Sequence, residues 1–380
     1  MNILIAGDFC PTHRIPILLS QKKFDQIFGQ VKPMIEAADY SIVNFECPIT
    51  SGTERPIKKC GPHHRCSEEG MEAVKYAGFN CVTFANNHFF DFGEYGVKCS
   101  IDACKRYGID YVGGGRDYSE ASNILYKIIG DKIIAIINCC EHEFSVATNS
   151  TPGSNPLNPI QQYYKIQEAK QKADYILVIV HGGHELYQLP SRRMQETYRF
   201  FINAGADAVV NHHQHCFSGY ETYQGKPIIY GLGNFCFDSK KKKSDIWHEG
   251  YMVKLFFDND DVSFETIPYT QCKDVASITI LKENDAFLNR INRINQIIVN
   301  KNRLEKEVEH YYSNCQREIK SYLQPFPGGW VGQILRKLFT LKLIPNFLSS
   351  NEMMVLLNFV DCESHRDKLL YVLKSFNNKN

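Results

Sequence analysis

Six short apolar runs, each stopped by a polar residue or a glycine, do most to limit what this chain can become. They read "NILIAG", "DYSIVNF", "NCVTFA", "KIIAIIN", "DYILVIV" and "ADAVVN". Runs this short and this continuously apolar predict strands buried on both faces. Helical patterns lie between several of them. "SEEGMEAVKYAG" opens with Ser67 as an N-cap and closes on Gly78. "EYGVKCSIDACKRYG" sets Tyr95, Val97, Ile101, Ala103 and Cys104 near one face and stops at Gly108, and "SRRMQETYRFFINAG" stops at Gly205. Strand and helix in alternation predict an α/β domain with a central sheet.

Beyond Gly225 the pattern changes. "KPIIYGLGNF", "GYMVKLFFD" and "DVSFETIPY" read as strands joined by turns, with "FDNDDV" as a hairpin connection. That predicts an antiparallel part to the sheet or a second sheet packed on the first. From about Asn284 the sequence turns helical through "FLNRINRINQIIVNKNRLEKEVEHYYSNCQREIKSYL", breaks at "PFPGG" and resumes as two further helical stretches. At 380 residues the chain exceeds what one core usually supports. The expected organisation is a domain over 1–275 and a helical extension over 283–380.

The formal net charge is +1, and the one long run of like charge is Lys240 to Lys243, which reads as a solvated loop. No clustered basic face predicts a nucleic-acid partner. "MNILIAGDFC" lacks the basic and apolar regions of a signal peptide, and no apolar run reaches the roughly 20 residues of a membrane span. The expected location is the cytoplasm, with membrane association as an alternative. Fourteen cysteines without a C-x-x-C pair read as reduced, mostly buried thiols. "CGPHHRC" holds Cys60, His63, His64 and Cys66, but its spacing is too compact for all four to converge on a structural zinc, and Gly61-Pro62 reads as a turn.

Polar side chains at the carboxyl ends of strands in an α/β sheet face the crevice where ligands bind. Here those ends carry Asp8, then Asn44 and Glu46, then Asn86, Asn87, His88 and Asp91. His181 and His184 follow in "VIVHGGHE", and His212, His213 and His215 in "VNHHQH". Each has an ordinary explanation alone: Asp8 can fix a turn, Asn44 and Asn86 can bond loop backbone. Gathered at one sheet edge they form a mixed oxygen and nitrogen donor set suited to Zn, Mn or Fe. Two such metals about 3.5–4 Å apart can clamp a phosphoryl group and activate water. The glycines of "HGGHE" would let backbone come close to ions or substrate.

"FANNHFFDFGEYGV", "VHGGHELYQLPS", "AGADAVVNHHQH" and "IIYGLGNFCFD", with the opening "GDF" and "VNFECPI", resemble the signature segments of the CapA, or poly-γ-glutamate capsule synthesis, family. That family belongs to the calcineurin-like metallophosphoesterase superfamily, and the resemblance runs from about residue 1 to 270. It implies an α/β/β/α sandwich and two divalent transition metals. Asp8 would be the first ligand, Glu46 the bridging carboxylate, Asn87 the amide ligand and His181 the lone histidine. The H-x-H spacing favours His213 with His215 as the final pair, with His212 left as the alternative to His213. His88 would give a proton to the leaving group, and Asp91 would hold its ring in the right tautomer. Asn44, Asn86, His184, Glu185, His212 and Asn234 would line the substrate pocket. Arg192 and Arg193 could reach an anion or simply be solvated. Two departures stand out: Cys10 replaces the usual D-x-H histidine, and Asn211 replaces a glycine.

Two functions of different kinds follow. One is a metal-dependent hydrolase acting on a phosphoester or related anionic substrate, a small molecule or a polymer terminus, in the making of a capsule or envelope polymer. The other is a non-catalytic accessory or scaffold protein of a polymer synthase. In that second reading the helical C-terminus, with Trp330, Ile334 and Leu335 beside Arg336, Lys337 and Lys342, contacts a membrane or the synthase.

Overall fold

The computed structural model describes residues 1–59, 61–241, 243–258, 261–282 and 285–361, with 365, 369 and 373 beyond them. Cys60 of the "CGPHHRC" segment, Lys242 of the lysine run, the hairpin tip at 259–260 and Asn284 lie outside these residues. The chain divides into two compact units, Met1–Glu305 and Lys306–Asn380. The first continues past 283 because the helix Asp285–Ile298 buries Phe287, Ile291 and Ile298. Phe287 sets its ring 4.5 Å from that of Phe217.

Two sheets make the frame of the first unit. Among the described residues, one runs in the order Ile278–Ile280, Asp261–Gln271, Glu249–Asp258, Asn2–Phe9, Tyr40–Phe45, Cys81–Thr83, Asp110–Val112. Asn2–Phe9, Tyr40–Phe45, Cys81–Thr83 and Asp110–Val112 are parallel, whereas the three later strands form an antiparallel meander added to one edge. The other sheet runs Tyr220–Tyr223, Lys226–Ile229, Ala208–His212, Tyr175–His181, Lys132–Cys140, Leu125–Ile129, parallel at its centre and closed by an antiparallel hairpin on each side.

The period-two alternation of the strands explains the layering. Ile3, Ile5 and Ile42 point inward and share a core with Ile134, Ile136, Leu177, Ile179 and Val210 of the second sheet. Leu4, Ala6, Val43 and Val82 point the other way, onto Met71, Val74 and Ala77 of the helix Glu69–Ala77 and Val97, Ile101 and Cys104 of Gly93–Tyr107. The helices Pro159–Ala169 and Arg192–Ala204 pack on the outer face of the second sheet. This is the expected α/β/β/α sandwich. Strands covered on both faces must be apolar at every position, which is why they read as unbroken runs.

Details differ from expectation. The helix Glu69–Ala77 is entered at Glu68, without a side-chain cap from Ser67. Tyr95 is exposed, and Gly96 and Ser100 take its place on the buried face of Gly93–Tyr107. The long helical stretch after 284 is two helices, Asp285–Ile298 and Lys301–Leu323. The break falls at Asn300, whose Oδ1 accepts the Arg303 amide at 3.1 Å and restarts the helix. In the second unit, Phe326 packs against Phe339 and Phe347. No described helix is long and apolar enough to cross a membrane.

Candidate metal centre

Both sheets end on the same crevice. Asn44, at the end of the second strand of the first sheet, donates Nδ2 to Asp8 Oδ1 at 2.7 Å and lies 3.3 Å from His181 Nδ1 on the second sheet. A glycine contact brings in a third segment. A Cβ on Gly7 would meet the Gly233 carbonyl oxygen at 1.9 Å, so only a glycine lets Asn234–Cys236 lie against the end of Asn2–Phe9. Asn234 then receives the His215 ring.

Two clusters of buried donors result, Glu46 with His181 and His213, and Asp8 with Glu46 and His215, each able to converge on one ion. Glu46 belongs to both. Its carboxylate is completely buried, and neither oxygen meets a hydrogen-bond partner among the described residues. Oε1 lies 3.5 Å from His215 Nε2 and 3.7 Å from His181 Nε2. A buried carboxylate with no donor is costly, and a cation between it and the imidazoles removes the cost. Asn87 Oδ1 and His213 Nδ1 both sit 3.0 Å from His181 Nε2, so Asn87 adds one more donor beside the first cluster. His213 and His215 hold left-handed backbone at φ 90° and 52°, a strained conformation for histidine of the kind that clusters at working sites.

The charges fit a cation. Burial first, and then the Asp8 charge, push the Glu46 carboxyl well above its usual range. Asp8 is held below its usual value, because the His215 hydrogen bond and the nearby rings outweigh burial. Burial and the neighbouring histidines drive His181 far down, so it is a neutral ring with a lone pair to offer. Cys10 joins neither cluster: burial raises its thiol to about 11.

Beside the donors lies a second constellation. His88 Nδ1 meets Asp91 Oδ2 at 2.7 Å, as expected of an oriented imidazole. The centre opens on a cavity of about 550 Å³ whose lining includes Asn87, His88, Glu185, His215 and Trp247.

Several expected pocket residues face elsewhere. Asn44, Asn86, His212 and Asn234 are buried behind the ligands and absent from the cavity wall. Asn86 donates to the Phe45 carbonyl and accepts the His88 amide, and His212 Nε2 bonds Ala6 O at 3.0 Å. His184 is also off the wall, whereas Glu185 is on it. Arg192 pairs with Glu196, and Arg193 reaches Glu141. The "HGGHE" glycines serve packing: a Cβ on Gly182 would strike Glu141, and one on Gly183 would strike Met194.

Sequence reasoning passed over Lys59, Glu143 and Asp238, and it read His64 only in the zinc-like segment and the lysine run only as a solvated loop; Lys59, His64, Glu143, Asp238, Lys240, Lys241 and Lys243 all supply cavity wall. Lys243 sits 3.9 Å over the Trp247 ring, and exposed Lys240 and Lys241 join it in the cavity wall, so these lysines are not only a solvated loop. Glu143, 4.0 Å from His213 Nε2, follows the one strand end that yielded no candidate. The zinc-like "CGPHHRC" segment instead places His64 with its ring 4.3 Å from His88.

Residues 2–239 match the family model described as bacterial capsule synthesis protein PGA_cap. The chain belongs to this family. Every donor named above lies inside the PGA_cap match, and Lys240, Lys241, Lys243 and Trp247 lie just beyond it. The chain is 32% identical over 246 residues to the capsule biosynthesis protein CapA of Bacillus anthracis, covering 63% of this chain and 60% of that one. It is 33% identical over 241 residues to the PGA biosynthesis protein CapA of Bacillus subtilis, covering 63% of each. It thus spans less than two thirds of the length of these relatives. Among solved structures, a novel phosphatase of Mycoplasma pneumoniae overlays with a TM-score of 0.46 at 18% identity, over 72% of this chain and 95% of that one.

Proposed function

We propose that this PGA_cap protein is a metal-dependent hydrolase of a phosphoester or related anionic substrate, acting in the synthesis of a capsule or envelope polymer. The observation that carries the reading is Glu46, a buried carboxylate without donors that belongs to two ligand clusters at once. Asp8, Glu46 and His215 would hold one divalent ion, and Glu46, His181, His213 and Asn87 the other. Bound there, a metal pair supplies electrophilic activation of a phosphoryl group and of water.

The protein's own groups do the rest. Asp91 accepts the hydrogen bond from His88 Nδ1–H, so Nε2 is the atom free to take up a proton in the cavity and pass it to a leaving oxygen. Lys240, Lys241 and Lys243 at the cavity wall favour an anionic substrate, and Trp247 gives its body an apolar surface. Asn44, Asn234 and Asn86 fix the ligands and His88 from behind.

The test is metal content per chain, followed by a panel of phosphomonoesters and phosphodiesters with the parent protein and Glu46→Gln. Near two transition metals and a turnover lost in the variant support the reading. Protein that stays metal-free after exposure to Zn, Mn and Fe ends it.

A second, accessory role draws on the other unit. On the helix Gly329–Thr340, Trp330 and Ile334 are exposed on the same side as Lys337, with exposed Leu341 one turn further. Such a face suits contact with an anionic membrane or a synthase partner. Trp330→Ser with Ile334→Ser should then abolish flotation with anionic vesicles.

A further inference from the structure

The segment 51–65 lies between the strand Tyr40–Phe45 and the helix Glu69–Ala77, and its described residues have neither helix nor strand of their own. Much of it is exposed, yet the Lys59 side chain is only 3% exposed. Three of its residues converge on Asp91. The Ile57 amide donates to the Asp91 carbonyl at 2.9 Å, the His64 amide donates to Asp91 Oδ2 at 2.7 Å, and Lys59 Nζ forms an ion pair with Oδ1. Lys59 Nζ also lies 3.2 Å from His88 Nδ1.

These contacts leave the ammonium underused. An ammonium carries three donors and no acceptor. Asp91 takes one. His88 Nδ1 cannot take a second, because that nitrogen carries a proton and donates it in the shorter 2.7 Å hydrogen bond to Asp91. Among the described residues no further acceptor meets Nζ, and the residue lines the cavity beside Asn87 and His88. Burying a cation against one carboxylate that also serves a histidine and a backbone amide is a poor way to stabilise a loop. It is a good way to hold a positive charge ready for an anion.

We propose that Lys59 is an anion-binding residue of this site, whose ammonium, anchored on Asp91, donates to a phosphoryl or carboxylate oxygen of the ligand beside the metal ligands. The proposal rests on the reading of the site as a metal-dependent centre for anions, and it adds a contact from a segment outside the strand ends. The segment thereby becomes a specificity element: it carries Lys59 as donor and His64 as the wall packed on His88.

The experiment is calorimetric titration of inorganic phosphate into the manganese-loaded full-length protein, its Lys59→Met and its Lys59→Arg variants, with metal content and thermal midpoint measured on each. Methionine keeps the packed stem and removes the charge; arginine keeps the charge. The expected result is a loss of about tenfold or more in phosphate affinity for Lys59→Met, the scale of a charge-assisted hydrogen bond. Lys59→Arg should recover most of it, and metal content should stay at the parent level in both. Equal phosphate affinity in Lys59→Met overturns the role of Lys59 and leaves the metal-centre reading standing. A parallel fall in metal content also overturns it, since Lys59 would then be holding the site together. A metal-loaded parent that binds no phosphate overturns both this assignment and the phosphoester reading.

Discussion

Asn234 Oδ1 receives His215 Nδ1 at 2.9 Å, which turns His215 Nε2 toward Glu46. The asparagine also donates to the backbone oxygens of His215 and Trp247, so its own amide cannot swing away. A partner on the far nitrogen fixes a ligand histidine's tautomer and orientation, and its loss costs about 10–100-fold in metal affinity. Asn234→Ala should therefore weaken metal binding by that factor while the protein still folds. Chelator competition measures it; unchanged affinity would show that His215 is held some other way.

Glu46→Gln should act in opposite directions with and without metal. The folded-state carboxyl is raised by burial, so it binds a proton more tightly than in the unfolded chain. Metal-free, it therefore penalises folding above the unfolded value near 4.5 and not below it. The amide removes that penalty. In EDTA at neutral pH the variant should resist urea better than the parent, by about 1–3 kcal/mol, with the gain vanishing below pH 4.5. With metal present the order should reverse. A variant weaker in EDTA at every pH would mean the Glu46 carboxylate has a stabilising partner.

Metal affinity should also rise with pH. Ligands must shed protons to bind a cation, and Glu46 holds its proton above the usual carboxylate range. Mixing metal with the apoprotein in weak buffer near neutrality should release protons. A pH-stat reading of no release would place Glu46 outside the ligand set.

The two sheets and the strand-end donors were legible because one physical rule governs both. An unbroken apolar run ending in Asp, Glu or His is a buried strand whose first ionisable residue sits at the crevice, and Asp8, Glu46 and His181 all follow it. Direction was not legible. His212 and His213 are neighbours in sequence, yet one ring bonds Ala6 O and the other meets His181, a choice made by the φ of 90° at His213. Asn44 and Asn234 likewise turn to ligands rather than to the cavity. Lys59 left no signal and His64 only a misleading one, as part of a zinc-like spacing, since a segment without periodicity carries no record of which side chain turns inward. Glu143 was a different case: it lies three residues beyond the strand Lys132–Cys140, after Glu141 and His142, so the rule points to its neighbourhood and not to Glu143 itself.

Cys10 stands where the family resemblance predicts a histidine ligand. Its thiol is fully buried, is pushed up to about 11 by burial, and is therefore neutral at pH 7. Cys10→Ala should leave metal stoichiometry unchanged and cost about 1 kcal/mol of stability from the lost sulfur packing. A drop of one metal per chain would show instead that metal binding draws out a thiolate.

Asp238 ties the cavity wall to Arg14, which precedes the helix Ile15–Ser20. Its Oδ2 accepts Arg14 Nε at 2.7 Å and the Arg14 amide at 3.0 Å, and its Oδ1 accepts a second guanidinium nitrogen at 3.0 Å. Burial works against the charge, but these hydrogen bonds win and hold the carboxyl below its usual value. A lowered folded-state value means that the pairing stabilises fully above the unfolded value near 3.8 and is lost as pH falls through the folded one. Asp238→Asn should thus lower the urea midpoint at pH 6 to 7, and the gap from the parent should close as pH falls below 3.8. Arg14 is partly exposed, so screening will make the gap smaller at high salt. A gap that stays constant from pH 7 down to pH 3 would mean that lost packing, not the ion pair, sets the cost.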